Sequence, residues 1–145
     1  MLVIDDHLLR DVLAGDRDLG ALGAGGLATT GLWLFRLSAS FADPTVSGKL
    51  SAPVAGLPED LRARFRADLV ALPADITVLS LRDLAWPMAV LQVRHRAAGR
   101  PLSAAMVEAL AAAHHLHAGI AVSRADVGPH LRAAARADKI PFHTV

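Results

Sequence analysis

Short apolar runs alternate along the chain with segments whose apolar residues recur every three or four positions. The first run, Leu2-Val3-Ile4, has no polar alternation, as expected of a strand covered on both faces. Leu8, Leu9, Val12 and Leu13 then follow helical spacing. They predict a helix over 7–13, capped by Asp5 or Asp6 and closed by Gly15. A second short helix is expected over 16–22, and Gly23-Ala24-Gly25-Gly26 reads as a flexible break. Leu27-Ala28-Thr29-Thr30 predicts a second strand. The helix expected over 31–42 places Leu32, Phe35 and Ala39 on one side and Trp33 and Leu37 on the neighbouring side, and Asp43-Pro44 ends it.

Residues 45–57, with their Gly, Ser and Pro, read as a loop. Pro58-Glu59-Asp60 opens the next helix with acids in its first turn, and Leu61, Phe65, Leu69 and Leu72 follow. Ile76-Thr77-Val78-Leu79 is the clearest strand of the chain. A long helix is expected over 81–98, with Pro87 near its start, then a turn at Gly99-Arg100-Pro101. Ser103 caps a further helix that runs to about 116. Ile120-Ala121-Val122 as a strand, a helix over 126–137 and a strand over 140–145 complete the pattern. Strands alternating with helices imply a three-layer α/β/α sandwich around a mostly parallel sheet of about five strands, built as one domain over 1–145.

Composition narrows the chemistry. The chain has 145 residues, 53% of them hydrophobic, which is ample for one core and argues against global disorder. It has no cysteine, so disulfides, thiol nucleophiles and Cys-ligated zinc are excluded. No apolar run reaches the roughly 18 residues that span a bilayer. Asp5, Asp6 and His7 arrive too early for a signal or transit peptide, so a cytoplasmic location without membrane partners is expected. Fifteen basic residues against fourteen acidic ones are too balanced to imply nucleic-acid binding, and the absence of tyrosine argues against a base-stacking platform.

In open parallel sheets, chemistry gathers beyond the carboxyl ends of the strands. Asp5 and Asp6 stand there after the first strand, Thr29 and Thr30 after the second, and Ser123, Arg124 and Asp126 after the fourth. Acids converging from different strands suggest a divalent-cation site, since Mg²⁺ and Mn²⁺ favour carboxylate and water oxygens.

With these residues in place, the chain resembles the PIN-domain family, the fold of VapC-like toxin ribonucleases. The resemblance is carried by Val3-Ile4-Asp5-Asp6-His7-Leu8-Leu9, by Gly99-Arg100-Pro101-Leu102-Ser103 before an alanine-rich helix, and by Ala118-Gly119-Ile120-Ala121-Val122-Ser123 followed by Asp126. It implies strand order 3-2-1-4-5 and three or four carboxylates holding Mg²⁺ or Mn²⁺, which activates water to cleave RNA. It further implies a homodimer and an antitoxin-like protein partner. Carried over residue by residue, the resemblance makes Asp5 the first ligand and Asp126 a second, both in catalytic roles, with Asp6 and Glu108 as further metal ligands. Arg124 and Arg100 would face the RNA.

The pattern is degenerate. The segment where the family has a glutamate reads Trp33-Leu34-Phe35-Arg36. The third acid falls on Met106, and Glu108 lies about 200° further round the helix, which points it elsewhere unless the register shifts. Asp126 comes about one position late. Two readings follow: a metal-dependent endoribonuclease with an incomplete acidic site, or a catalytically inactive PIN-like domain for dimerisation or partner binding. A small α/β domain of another family with the same element order is a third.

Other features have plainer readings. Asp5 and Asp126 each suit a helix N-cap, and Glu108 suits a solvated or half-buried face. His114 and His117 can share a helix face as a zinc or nickel pair, or sit at a helix C-terminus as the dipole favours. Arg62, Arg64 and Arg66, and Arg94, His95 and Arg96, read as solvated faces or as RNA-backbone contacts. Trp33, Trp86 and Met88 read as core, or as a partner groove.

Overall fold

The computed structural model describes residues 1–17, 19, 22, 25–43, 45 and 47–145, the side chain of Asp126 excepted. Among these residues, β1 (Leu2–Ile4), β2 (Leu27–Thr30), β3 (Ile76–Leu79), β4 (Gly119–Val122) and β5 (Phe142–Thr144) form one sheet. Its order is β3-β2-β1-β4-β5, and every neighbouring pair is parallel. This is the expected order. The helices are α1 (Asp6–Leu13), α2 (Gly31–Ala42), α3 (Ala52–Ala55), α4 (Glu59–Val70), α5 (Leu81–Ala97), α6 (Ala104–Leu116) and α7 (Pro129–Ala137).

Strand alternation divides the core between two faces. Leu2 and Ile4 pack with Leu8, Leu9, Leu37, Phe65 and Leu69, the layer of α1, α2 and α4. Val3, Ile120 and Val122 pack with Leu84, Leu91, Leu110 and Leu131, the layer of α5, α6 and α7. The chain runs outward from β1 to β3 and then returns to place β4 on the other side of β1. The gap between β1 and β4 is therefore the topological switch point, where open sheets of this kind form a crevice. No described helix is long and apolar enough to cross a membrane.

Several expectations need correction. The 45–57 loop contains the short helix α3. Asp126 does not cap the last long helix: it ends a 3₁₀ turn over Arg124–Asp126, and α7 begins at Pro129 behind Gly128, because proline suits the first helical position. The two sides of α2 are distinct as expected: Phe35 and Ala39 face solvent, while Trp33 and Leu37 are buried. Trp86 is 78% exposed, and His95 is fully buried. The helix expected over 16–22 and the break over 23–26 fall on a stretch of which residues 18, 20, 21, 23 and 24 lie outside the described residues.

Candidate functional site

Asp5 follows β1 at the switch point and is 2% exposed. Its Oδ1 accepts the Leu8 N–H at 2.8 Å, which makes it the N-cap of α1. Its Oδ2 accepts the Ser123 N–H at 2.8 Å, from the residue that follows β4. One carboxylate thus ties the two central strands together at their carboxyl ends and starts a helix. Beside it, Thr29 Oγ1 donates to the Ile4 carbonyl at 3.1 Å, and Thr30 caps α2 by accepting the Trp33 N–H at 3.3 Å. Both threonines are fully buried, and Thr29 fastens β2 to the same edge.

Asp6 is the first residue of α1 and is fully buried. Its Oδ1 accepts the His7 N–H at 3.0 Å, and the Arg36 guanidinium lies 3.0 Å from its Oδ2. Burying a carboxylate without a partner is costly, and here α2 delivers the counter-charge. Arg36 stands in the segment where the resemblance leads to an acid. Composition gave no hint of its role; a base at that position is the one signal in the sequence.

Glu108 corrects the helical-wheel expectation. It does not face away from the site or toward solvent. It is fully buried, and its Oε2 accepts the Leu32 N–H at 2.8 Å in the first turn of α2. Its Oε1 is buried with no hydrogen-bond partner among the described residues. A Cβ at Gly31 would make only ordinary contact with that oxygen, at 3.5 Å. A wheel drawn for α6 alone misjudges Glu108, because α2 packs over that side of α6 and turns its N-terminus onto the side chain.

Asp5, Asp6 and Glu108 therefore gather around the first turns of α1 and α2, where backbone N–H groups and the helix dipoles favour anions. Asp126 is brought to the same sheet edge by the turn after β4, although its side chain lies outside the described residues. Arg124 is exposed in that turn, and its N–H donates to the Val145 carbonyl at 3.0 Å. Arg100 is not part of this group. Its Nε donates to His95 Nδ1 at 3.1 Å, in a network at the opposite end of the sheet.

That network centres on Asp138, at the end of α7. Its Oδ2 meets Arg94 Nη2 at 2.5 Å, His95 Nε2 at 3.2 Å and His114 Nε2 at 2.9 Å. Arg100 Nε donates to His95 Nδ1, and His95 Nε2 faces the Asp138 carboxylate. Burial pushes the Asp138 carboxyl up, but hydrogen bonds from His114 and His95 and the charge of Arg94 outweigh it, so the group sits below its ordinary value. His114 is thus engaged with a carboxylate, while His117 forms the left-handed cap of α6.

Among the described residues no group of three His, Cys, Asp or Glu side chains is placed to hold a metal ion. A guanidinium already occupies the Asp6 carboxylate. The described acids act as clamps on helix N-termini and on the turn after β4.

One chain of a solved structure described as FitAB bound to an IR36 DNA fragment is similar to this chain over 99% of its length and 94% of that chain's, with a TM-score of 0.62 and 16% identity. The likeness is one of fold, a PIN-like α/β arrangement. No family model and no curated protein matches the chain.

Proposed function

We propose that this chain is a PIN-like domain of the toxin–antitoxin type that acts by binding a protein partner, with an acidic crevice that has become structural. FitAB is a toxin–antitoxin complex in which FitB is a PIN-domain toxin, and the shared fold supports that setting. The observation that carries the reading is the state of the acids. Asp5 is occupied by two backbone N–H groups, Glu108 by one, and Asp6 by Arg36. Several free, converging carboxylates are what a hydrolytic Mg²⁺ or Mn²⁺ centre requires.

Trp86, Val90 and Val93 support a binding role. They recur at helical spacing on α5 and are 78%, 48% and 71% exposed, an apolar stripe that suits an antitoxin-like segment or a second copy in a homodimer.

One observation favours a second reading, a divalent-metal-dependent endoribonuclease. Glu108 Oε1 is buried without a partner, and a cation would satisfy it. The deciding experiment incubates the purified chain with labelled single-stranded RNA and millimolar Mg²⁺ or Mn²⁺, beside Asp5→Ala. The expected result is no metal-dependent cleavage. Cleavage that needs the ion and disappears in Asp5→Ala would overturn the binding reading in favour of the nuclease.

A further inference from the structure

We propose that the cavity between α2, α3 and α4 is a binding site for a phosphate group, held by Arg62 and Arg66 of α4. It lies toward the far end of α2 from the acidic crevice. Ser40 on its wall stands about 12 Å along the helix from Leu32. Neither its residues nor its test draws on the reading above.

The structure separates the three arginines of α4. Arg64 Nε lies 3.7 Å from the Asp68 carboxylate, away from the cavity. Arg62 and Arg66, one turn apart, line a space of about 170 Å³ whose wall includes Ser47, Ser51, Phe41 and Val54. At about 30 Å³ per water in the liquid, that space takes about five or six waters, or one phosphate group with a few attached atoms.

Hydrogen-bond donors outnumber acceptors there. Arg62 Nη1 donates to the Ala55 carbonyl at 3.3 Å, and Nη2 to the Glu59 carboxylate. Those bonds fix the guanidinium, yet its Nε is buried with no partner among the described residues. Such orphaned donors are rare in folded proteins. Arg66 and the Ser47 hydroxyl make no hydrogen bond or ion pair among the described residues. The Ser51 hydroxyl accepts the Gly48 N–H at 2.9 Å, which leaves its own proton only a long 3.5 Å approach to the Gly48 carbonyl.

The acid on the described wall is already engaged. Asp43 Oδ1 accepts the hydroxyl and the N–H of Thr45, at 2.6 and 2.9 Å. Those bonds, the hydroxyl's first, hold its carboxyl below the ordinary value. Asp43 and Glu59 are both exposed, so water and salt screen their charges, whereas Arg62 Nε is shut off from solvent. Spare donors on two positive side chains suit a ligand rich in acceptors, and the guanidinium fork matches phosphate oxygens. Phe41 and Val54 offer an apolar wall to whatever carries the phosphate.

The test titrates the full-length chain with inorganic phosphate and, separately, with glycerol 3-phosphate, against chloride at equal ionic strength. ¹⁵N NMR follows the Gly48 and Ser51 amides and the Arg62 Nε–H, and thermal unfolding is recorded in parallel. Both phosphates should shift these signals saturably and raise Tm beyond the chloride control. Arg66→Gln loses no described contact, so it should fold as the parent does and bind about tenfold or more weakly. Tighter binding of glycerol 3-phosphate assigns the site to a phosphorylated small molecule, and equal binding to free phosphate; both outcomes support it.

An equal response to chloride, or phosphate binding that is unchanged in Arg66→Gln, would overturn the proposal. So would a short single-stranded RNA that shifts the same signals and is displaced by neither phosphate. If Arg66→Gln does not fold, Ser47→Ala decides at an exposed position. It should weaken phosphate binding severalfold, and unchanged binding overturns the site.

Discussion

Glu108 offers the sharpest test of the view that the buried acids are clamps. Truncation in Glu108→Ala removes the acceptor of the 2.8 Å bond from the Leu32 N–H and vacates a fully buried site. A stranded donor costs about 1–3 kcal/mol. The lost interaction with the α2 dipole adds up to about 2 kcal/mol in a buried setting. Relief of the unpartnered Oε1 offsets part of this. A net loss of about 2–4 kcal/mol follows, or roughly 5–15 °C in Tm for a chain of this size. Glu108→Gln keeps the shape and the acceptor oxygen and removes the buried charge, so its stability should stay within about 1 kcal/mol of the parent. Urea unfolding followed by far-UV circular dichroism at neutral pH measures both, with equal m-values confirming a common unfolding reaction. If Glu108→Ala is as stable as the parent, or Glu108→Gln is as damaging as Glu108→Ala, the hydrogen bond to α2 is not what Glu108 supplies.

Four further outcomes are expected. Asp5→Ala removes an N-cap and the tie to Ser123 together and should cost about 2–4 kcal/mol, with faster hydrogen exchange at the Leu8 and Ser123 amides. Asp138 has a folded-state pKa below its ordinary 3.8, so its stabilising contribution is fully present above that value and is lost as pH falls through the lower folded one. Asp138→Asn should therefore be less stable than the parent at neutral pH, and the gap should close in strong acid; a pH-independent gap would contradict this. Gly31→Ala should be neutral or stabilise by up to about 1 kcal/mol, because the new Cβ makes ordinary contact at 3.5 Å in a helical turn. Trp86→Ser should leave Tm nearly unchanged, since the ring is exposed, while weakening self-association or partner capture in analytical ultracentrifugation.

Much of the fold was legible locally. β1, β2 and β3 lie where their apolar runs place them, and Asp5 and Ser103 cap the helices that their spacing marks out. These features depend on near neighbours in sequence: an apolar triplet, a side-chain oxygen three residues before an N–H, a proline that cannot continue a pattern. The end of the chain was harder. Helical periodicity carries through 126–137 in sequence, but only the backbone separates the 3₁₀ turn from α7.

The site was legible as a list of acids and illegible as an arrangement. Sequence placed Asp5 and Asp6 at a strand end, because one chain segment holds both the strand and its cap. It did not show that Asp6 is answered by Arg36, or that Glu108 is turned onto the first turn of α2. Those partners stand 30 and 76 residues away, and they meet only once parallel strands and their crossover helices stack. Periodicity reports which face of a helix is apolar; it does not report which neighbour will cover a polar position on that face. The sequence by itself determined the elements and their order. Tertiary packing alone decided which groups meet the three buried carboxylates, because that depends on partners brought from distant segments into the interior.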